Sequence, residues 1–143
     1  MLEVKDKNIS CIKISNCIKN DVIKEDLEKE WNRYKFRVLE YSRDIYNLIE
    51  DLLIGTDKLN ANIFYDLIDV SFKSDLHIEN QINTIMEIWN YFKEYKKEAK
   101  GFSRRIMNIK DGSSSIKSMK NYLYNLAIKY KIKSLIESYY FAF

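Results

Sequence analysis

Only one imidazole, His77, is available for proton transfer in this chain. It follows Ser74 and Asp75 and precedes an apolar run, which places it at a helix start. A general base needs a nucleophile within hydrogen-bond reach, and no Ser or Cys is spaced to suggest one, so a capping or surface role is expected. The carboxylates come in runs, Glu25, Asp26, Glu28 and Glu30, then Glu50 and Asp51. Hydrolytic pairs need one carboxyl held protonated in a pocket, whereas runs along the polar edge of a helix are solvated. No catalytic residue is assigned from them. Cys11 and Cys17, even with His77, give too few ligands and match no zinc spacing, so neither metal nor cofactor is expected. Two cysteines also make no disulfide framework, and both read as free thiols of a cytoplasmic protein. Gly112 is followed by three serines but not by the lysine of a phosphate-binding P-loop.

Charge is the stronger signal. Residues 1–92 hold 12 Lys and Arg against 17 Asp and Glu, a net of −5, while residues 93–143 hold 12 against 4, a net of +8. Such asymmetry points to a polyanion. The excess of Lys over Arg looks like the bias of an AT-rich genome, so the basic count alone is discounted. The residues expected to carry nucleic-acid binding are Lys93, Lys96, Lys97, Lys100, Arg104, Arg105, Lys117 and Lys120, with Lys110 beside them. If folding gathers them around the helix that follows the serine loop, phosphate gains both long-range attraction and free backbone N–H donors. Tyr91, Tyr95 and Phe102 would then offer stacking faces to unpaired bases. Set against this is a plain reading, in which the lysines form a solvated face and the aromatics are core.

Those residues must be positioned by helices. A chain of 143 residues with three Gly and no Pro lacks the punctuation of a sheet protein, and 46% hydrophobic with 31% charged residues suits a soluble globular domain. The expected fold is all-α, a single-domain bundle of about five to six helices over residues 20–143, preceded by an arm or short helix at 1–19. Asn20 or Asp21 caps a first helix over about Val22–Ile54, with a stripe of Trp31, Tyr34, Val38, Tyr41, Ile45, Leu48 and Leu52, a kink near Glu30 and a stop at Gly55. Thr56 or Asp57 caps a second, about Lys58–Phe72, buried through Leu59, Ile63, Phe64, Leu67, Ile68 and Phe72. Ser74 or Asp75 caps a third, about Leu76–Tyr95, buried through Ile78, Ile82, Ile85, Met86, Trp89 and Phe92. A fourth, about Lys97–Lys110, carries Gly101 as a weak point. Asp111–Ser115 is a loop whose serines cap a fifth, Ile116–Tyr130, and a last short helix spans Ile132–Tyr140. No stretch approaches the run of about 20 apolar residues of a membrane span, and MLEVKDKNIS has no apolar leader segment.

Two stretches resemble a known family. Asn32-Arg33-Tyr34-Lys35, Leu39-Glu40-Tyr41-Ser42 and Tyr46 are similar to the opening of the YbgA-like domain of unknown function. Gln81-Ile82-Asn83, Trp89-Asn90-Tyr91-Phe92-Lys93, Gly112, Leu123 and Tyr139-Tyr140-Phe141 follow in the family's order, over roughly residues 25–141. Tyr41 and Gln81 stand where the family has His, and Asn90 where it has Gly, which puts any role for those imidazoles in doubt. Lys35, Ser42, Asn83, Tyr91, Phe92 and Lys93 match and carry the family's site by resemblance. The resemblance implies a helical domain found alone or behind a cysteine-rich desulfidase domain that acts on thiolated uracil or tRNA, with the helical part helping to hold RNA. The chain lacks the cysteines of an iron–sulfur site, so the expectation is an accessory RNA- or tRNA-binding domain with a desulfidase-type partner. Two rivals stand beside it. One is an adaptor or homodimer built on Tyr122, Tyr124, Tyr139, Tyr140, Phe141 and Phe143; the other is an enzyme whose pocket joins Lys35, Ser42 and Asn83.

Overall fold

The computed structural model describes residues 20–55 and 59–142, with side chains from Lys24 onward. The arm at 1–19 with both cysteines, the caps expected from Asn20, Asp21, Thr56 and Asp57, and Phe143 lie outside the described residues. Seven α-helices follow one another among the described residues: α1 (Asn20–Tyr41), α2 (Arg43–Gly55), α3 (Ala61–Phe72), α4 (Ile78–Trp89), α5 (Ala99–Lys110), α6 (Ile116–Lys129) and α7 (Lys133–Ile136). Short 3-10 turns occupy Asn90–Phe92, Lys96–Glu98 and Tyr139–Phe141. The fold is all-α, and no helix among the described residues is long and apolar enough to cross a membrane.

The long first helix is two helices. Ser42 N–H still donates to the Val38 carbonyl (2.8 Å), yet its hydroxyl accepts from Ile45 N–H (3.2 Å) and caps a new helix. The bend moves the apolar phase by one position. Leu27, Trp31, Tyr34 and Val38 are buried on α1, followed by Ile49 and Leu53 on α2, while the expected Leu48 is exposed. The helix assignment runs unbroken through Glu30.

α1 is central because it is apolar on two sides. Phe36 and Leu39 enter a core formed with α4, α5, α6 and α7, where Ile85, Phe92, Leu123, Leu135 and Tyr140 are fully buried. Trp31, Tyr34 and Val38 enter a second core with Ile49, Phe64 and Ile68 of α2 and α3. Tyr46 packs against both.

Several boundaries and burial assignments differ from expectation. Asn60 caps α3, its side chain accepting from Ile63 N–H (3.0 Å), and leaves Ile63 exposed while Tyr65 is buried. His77, not Ser74 or Asp75, holds the N-cap position of α4, without a side-chain cap bond; Ile78 and Met86 are exposed and Ile88 is core. The final helix stops at Ile136 because Ser138 caps a separate 3-10 turn. Tyr140 is fully buried there, Tyr139 lies 4.7 Å from Tyr34, and Phe141 lies 5.6 Å from Tyr124. Of the described aromatics expected to form a partner surface, Tyr140 is buried, Tyr122, Tyr139 and Phe141 are half-buried, and Tyr124 is exposed.

Candidate nucleic-acid interface and adjoining polar clusters

The expected basic residues divide into outward and inward groups. Lys93 is exposed in the turn before the 3-10 segment, Lys96 and Lys97 on that segment, and Lys100 and Arg104 on α5, where a step of four puts them on neighbouring turns. None of the five forms an ion pair with another described residue. The nearby carboxylate of Glu98 is engaged elsewhere. It accepts from the Tyr130 hydroxyl and from Lys129 (2.9 Å), and these bonds, with the nearby charges of Lys129 and Lys97, hold its carboxyl below the usual range. Lys110 and Lys117 are exposed at the far end of the α5–α6 pair.

Arg105 and Lys120 do not join this face. The Arg105 guanidinium lies 4.2 Å over the Tyr122 ring, with its Nε buried. Lys120 reaches across to α1, where its Nζ sits 3.3 Å from Glu40 Oε1 and 4.2 Å over the Tyr140 ring. Arg37 Nη1 donates to the same Glu40 oxygen (3.0 Å). Glu40 is 1% exposed, and burial pushes the Lys120 amine down more than Glu40 raises it. The eight cations therefore differ in surroundings: Lys93, Lys96, Lys97, Lys100, Arg104 and Lys117 are exposed, Arg105 lies over Tyr122, and Lys120 pairs with buried Glu40. Glu40 escaped sequence reasoning because its neighbours Leu39 and Tyr41 hid a carboxylate among apolar positions; the Arg37–Glu40 spacing of three was the available signal.

The stacking faces and the serine-loop cradle are also otherwise engaged. Phe102 is 4% exposed and stacks flat on Trp89 (4.0 Å), Tyr95 stacks on Tyr130 (3.8 Å), and Tyr91 sits edge-on to Phe36 (6.1 Å). Gly112 takes a positive φ of 85°, which lets the loop fold back on α5. Ser113 and Ser114 N–H groups donate to the Asn108 carbonyl, Ser113 N–H also to Asp111, and Ser118 N–H to the Ser115 cap. Those donors are occupied within the chain.

The residues matched by resemblance have divergent placements. Phe92 is core, Ser42 caps α2, and Asn83 and Lys93 are exposed. Lys35 lies 5.2 Å over Phe36, the ring that also meets Tyr91. Tyr46 is the hub nearby: it packs 5.4 Å from Trp31, with Arg43 over its ring, and Arg43 pairs with Glu87 of α4. Burial, then Glu50 and Glu87, push the Tyr46 phenol up to about 12. Among the described residues, no three or more His, Cys, Asp and Glu assemble as a metal site.

A family model described as a protein of unknown function, DUF1722, matches residues 35–143. The chain belongs to this family. No curated protein and no solved structure is significantly similar to it. The DUF1722 match takes in the outward basic row, the Glu40 knot and the Tyr46 hub. The first half of α1 precedes it. There Lys29, Asn32 and Arg33 face Lys133, Ser134 and Glu137 across a groove of about 510 Å³ that sequence reasoning did not find.

Proposed function

We propose that this DUF1722 domain is an accessory nucleic-acid-binding module that grips the sugar–phosphate backbone of a folded or duplex RNA. One observation carries the reading: Lys93, Lys96, Lys97, Lys100 and Arg104 stand in an exposed row without carboxylate partners among the described residues. Lys100 and Arg104 lie about 6 Å apart along α5 at about 1.5 Å of rise per residue, and Lys93, Lys96 and Lys97 lie on the segment leading into it, enough cations to meet several phosphates. Because Tyr91, Tyr95 and Phe102 are packed against other rings, base stacking contributes little, and structured RNA is favoured over a single strand. The closer resemblance to the YbgA-like domain makes tRNA the preferred ligand and a desulfidase-type enzyme the preferred partner.

Fluorescence anisotropy with tRNA, duplex RNA and a single-stranded oligomer, each over a salt series, tests this. With about four phosphates neutralised, log K falls against log salt with a slope near −4 on a duplex. Lys100→Ala with Arg104→Ala reduces that slope by roughly 2 and weakens all sequences alike. Absence of binding at low salt, or a double variant that binds like the wild type, refutes the proposal.

A further inference from the structure

The groove between α1 and α7 has walls set by the core. Leu135 of α7 is fully buried, Tyr34 and Tyr139 pack together behind the groove, and the Ser138 hydroxyl reaches the Arg33 carbonyl (3.5 Å). Lys29, Asn32 and Arg33 project at steps of three and one from one helix face; Lys133, Ser134 and Glu137 oppose them. A volume of about 510 Å³ is that of a small-molecule site.

Its electrostatics favour an anion. Arg33 Nη1 donates to Glu30 (3.0 Å), whose other oxygen accepts from the Tyr65 hydroxyl (2.8 Å), so a carboxylate and a phenol restrain the Arg33 side chain. The Glu30 hydrogen bond raises the Arg33 pKa further. Lys29 and Lys133 form no ion pair with another described residue, and both line the groove. A dianion bound there takes charge-assisted hydrogen bonds from Lys29, Arg33 and Lys133.

The remaining lining specifies what the anion is attached to. Glu137 only accepts hydrogen bonds, and Asn32 and Ser134 both donate and accept, a set suited to hydroxyl groups. No aromatic ring lines the groove, so there is no platform for a base. We infer that this groove is a binding site for a phosphate monoester of a polyol, a sugar phosphate, held at its phosphate by Lys29, Arg33 and Lys133 and at its hydroxyls by Glu137, Asn32 and Ser134. The site is separate from the basic row on α5 and stands or falls without it.

Isothermal titration of the full chain with ribose 5-phosphate, inorganic phosphate, ribose and adenosine monophosphate tests the assignment. Ribose 5-phosphate saturates one site, inorganic phosphate binds more weakly, and ribose gives no heat. Lys29→Ala and Lys133→Ala each weaken ribose 5-phosphate by about tenfold, with the circular dichroism spectrum unchanged. Glu137→Gln lowers ribose 5-phosphate toward inorganic phosphate while leaving inorganic phosphate alone, and Lys100→Ala with Arg104→Ala changes nothing here. Absence of saturation by ribose 5-phosphate, or binding by Lys29→Ala and by Lys133→Ala as tight as by the wild type, overturns the site. Tighter binding of adenosine monophosphate than of ribose 5-phosphate overturns the polyol assignment.

Discussion

Replacing Glu40 with Gln keeps the side chain's shape and removes only its charge. In the native chain one oxygen of Glu40 accepts from Arg37 (3.0 Å) and from Lys120 (3.3 Å), and the carboxylate is 1% exposed. Glu40→Gln takes from Lys120 its paired carboxylate and from Arg37 one of its partners. Breaking a buried pair by deleting one partner costs about 3–5 kcal/mol. Arg37 and Lys120 keep 14% and 13% of their surface in water, so they can shift partly outward, and the cost falls at the lower end, about 3 kcal/mol. That is a large share of the ~5–15 kcal/mol that holds a domain together.

Lys120→Met is different. Glu40 keeps Arg37, an amine that burial had already destabilised is gone, and a flexible apolar chain of similar reach covers Tyr140. Its effect stays within about 1 kcal/mol of zero. The two changes are also coupled: adding Lys120→Met to Glu40→Gln removes the amine left without its carboxylate and restores stability, which independent sites would not do. Lys120 gives a pH signature as well. Its pKa in the folded chain lies below the ordinary 10.5, so the unfolded chain binds the proton more tightly. Stability therefore rises with pH just below that value, and Lys120→Met flattens the rise. Urea unfolding followed by helical circular dichroism, with unchanged m values, measures all four proteins. A Glu40→Gln loss below about 1 kcal/mol, or a double variant weaker than Glu40→Gln alone, would refute the argument from stranded charge.

Tyr46→Phe removes a phenol that burial, Glu50 and Glu87 push up to about 12. The alkaline difference spectrum between the two proteins shows one phenol titrating near 12, and the wild type loses stability relative to Tyr46→Phe as pH rises from about 10 through that value. Gly101→Ala places its Cβ 3.5 Å from the Tyr122 hydroxyl, an ordinary contact. Thermal melting registers a gain of about 0.5 kcal/mol from the entropy that the unfolded chain no longer has.

What the sequence disclosed depended on how local the cause was. The scarcity of Gly and Pro and the three-and-four spacing of Trp31, Tyr34 and Val38 are local, and they led directly to an all-α fold. The loop at Asp111–Ser115 and the cap at Ser115 were legible for the same reason. The break at Ser42 was not, because the hydrogen-bond ladder nearly continues through it and only a hydroxyl turned back on Ile45 marks it. Inward cations were hidden more deeply. Lys100 and Lys120 are indistinguishable by type, and only the packing of α6 against α1 brings Lys120 to Glu40, 80 residues away. The groove needed still more, since half its lining lies on α1 and half beyond residue 132.

The division of labour between helices follows from that packing. α1 touches both cores, anchors the Glu40 knot, feeds the Tyr46 hub through Trp31 and forms one wall of the groove. Substitutions facing inward from it will disturb stability and any bound ligand together. α5 is used differently: Phe102, Ile106 and Ile109 anchor it, while Lys100 and Arg104 leave the opposite side charged and uncommitted. A helix held by one apolar side and carrying unpaired cations on the other can change its charge at little cost to the fold, because exposed substitutions away from packed features shift stability by only about 0.5 kcal/mol. Under the proposed function, weaker RNA binding by an α5 variant would be loss of contact, whereas the same loss in a variant of buried α1 positions would carry unfolding with it.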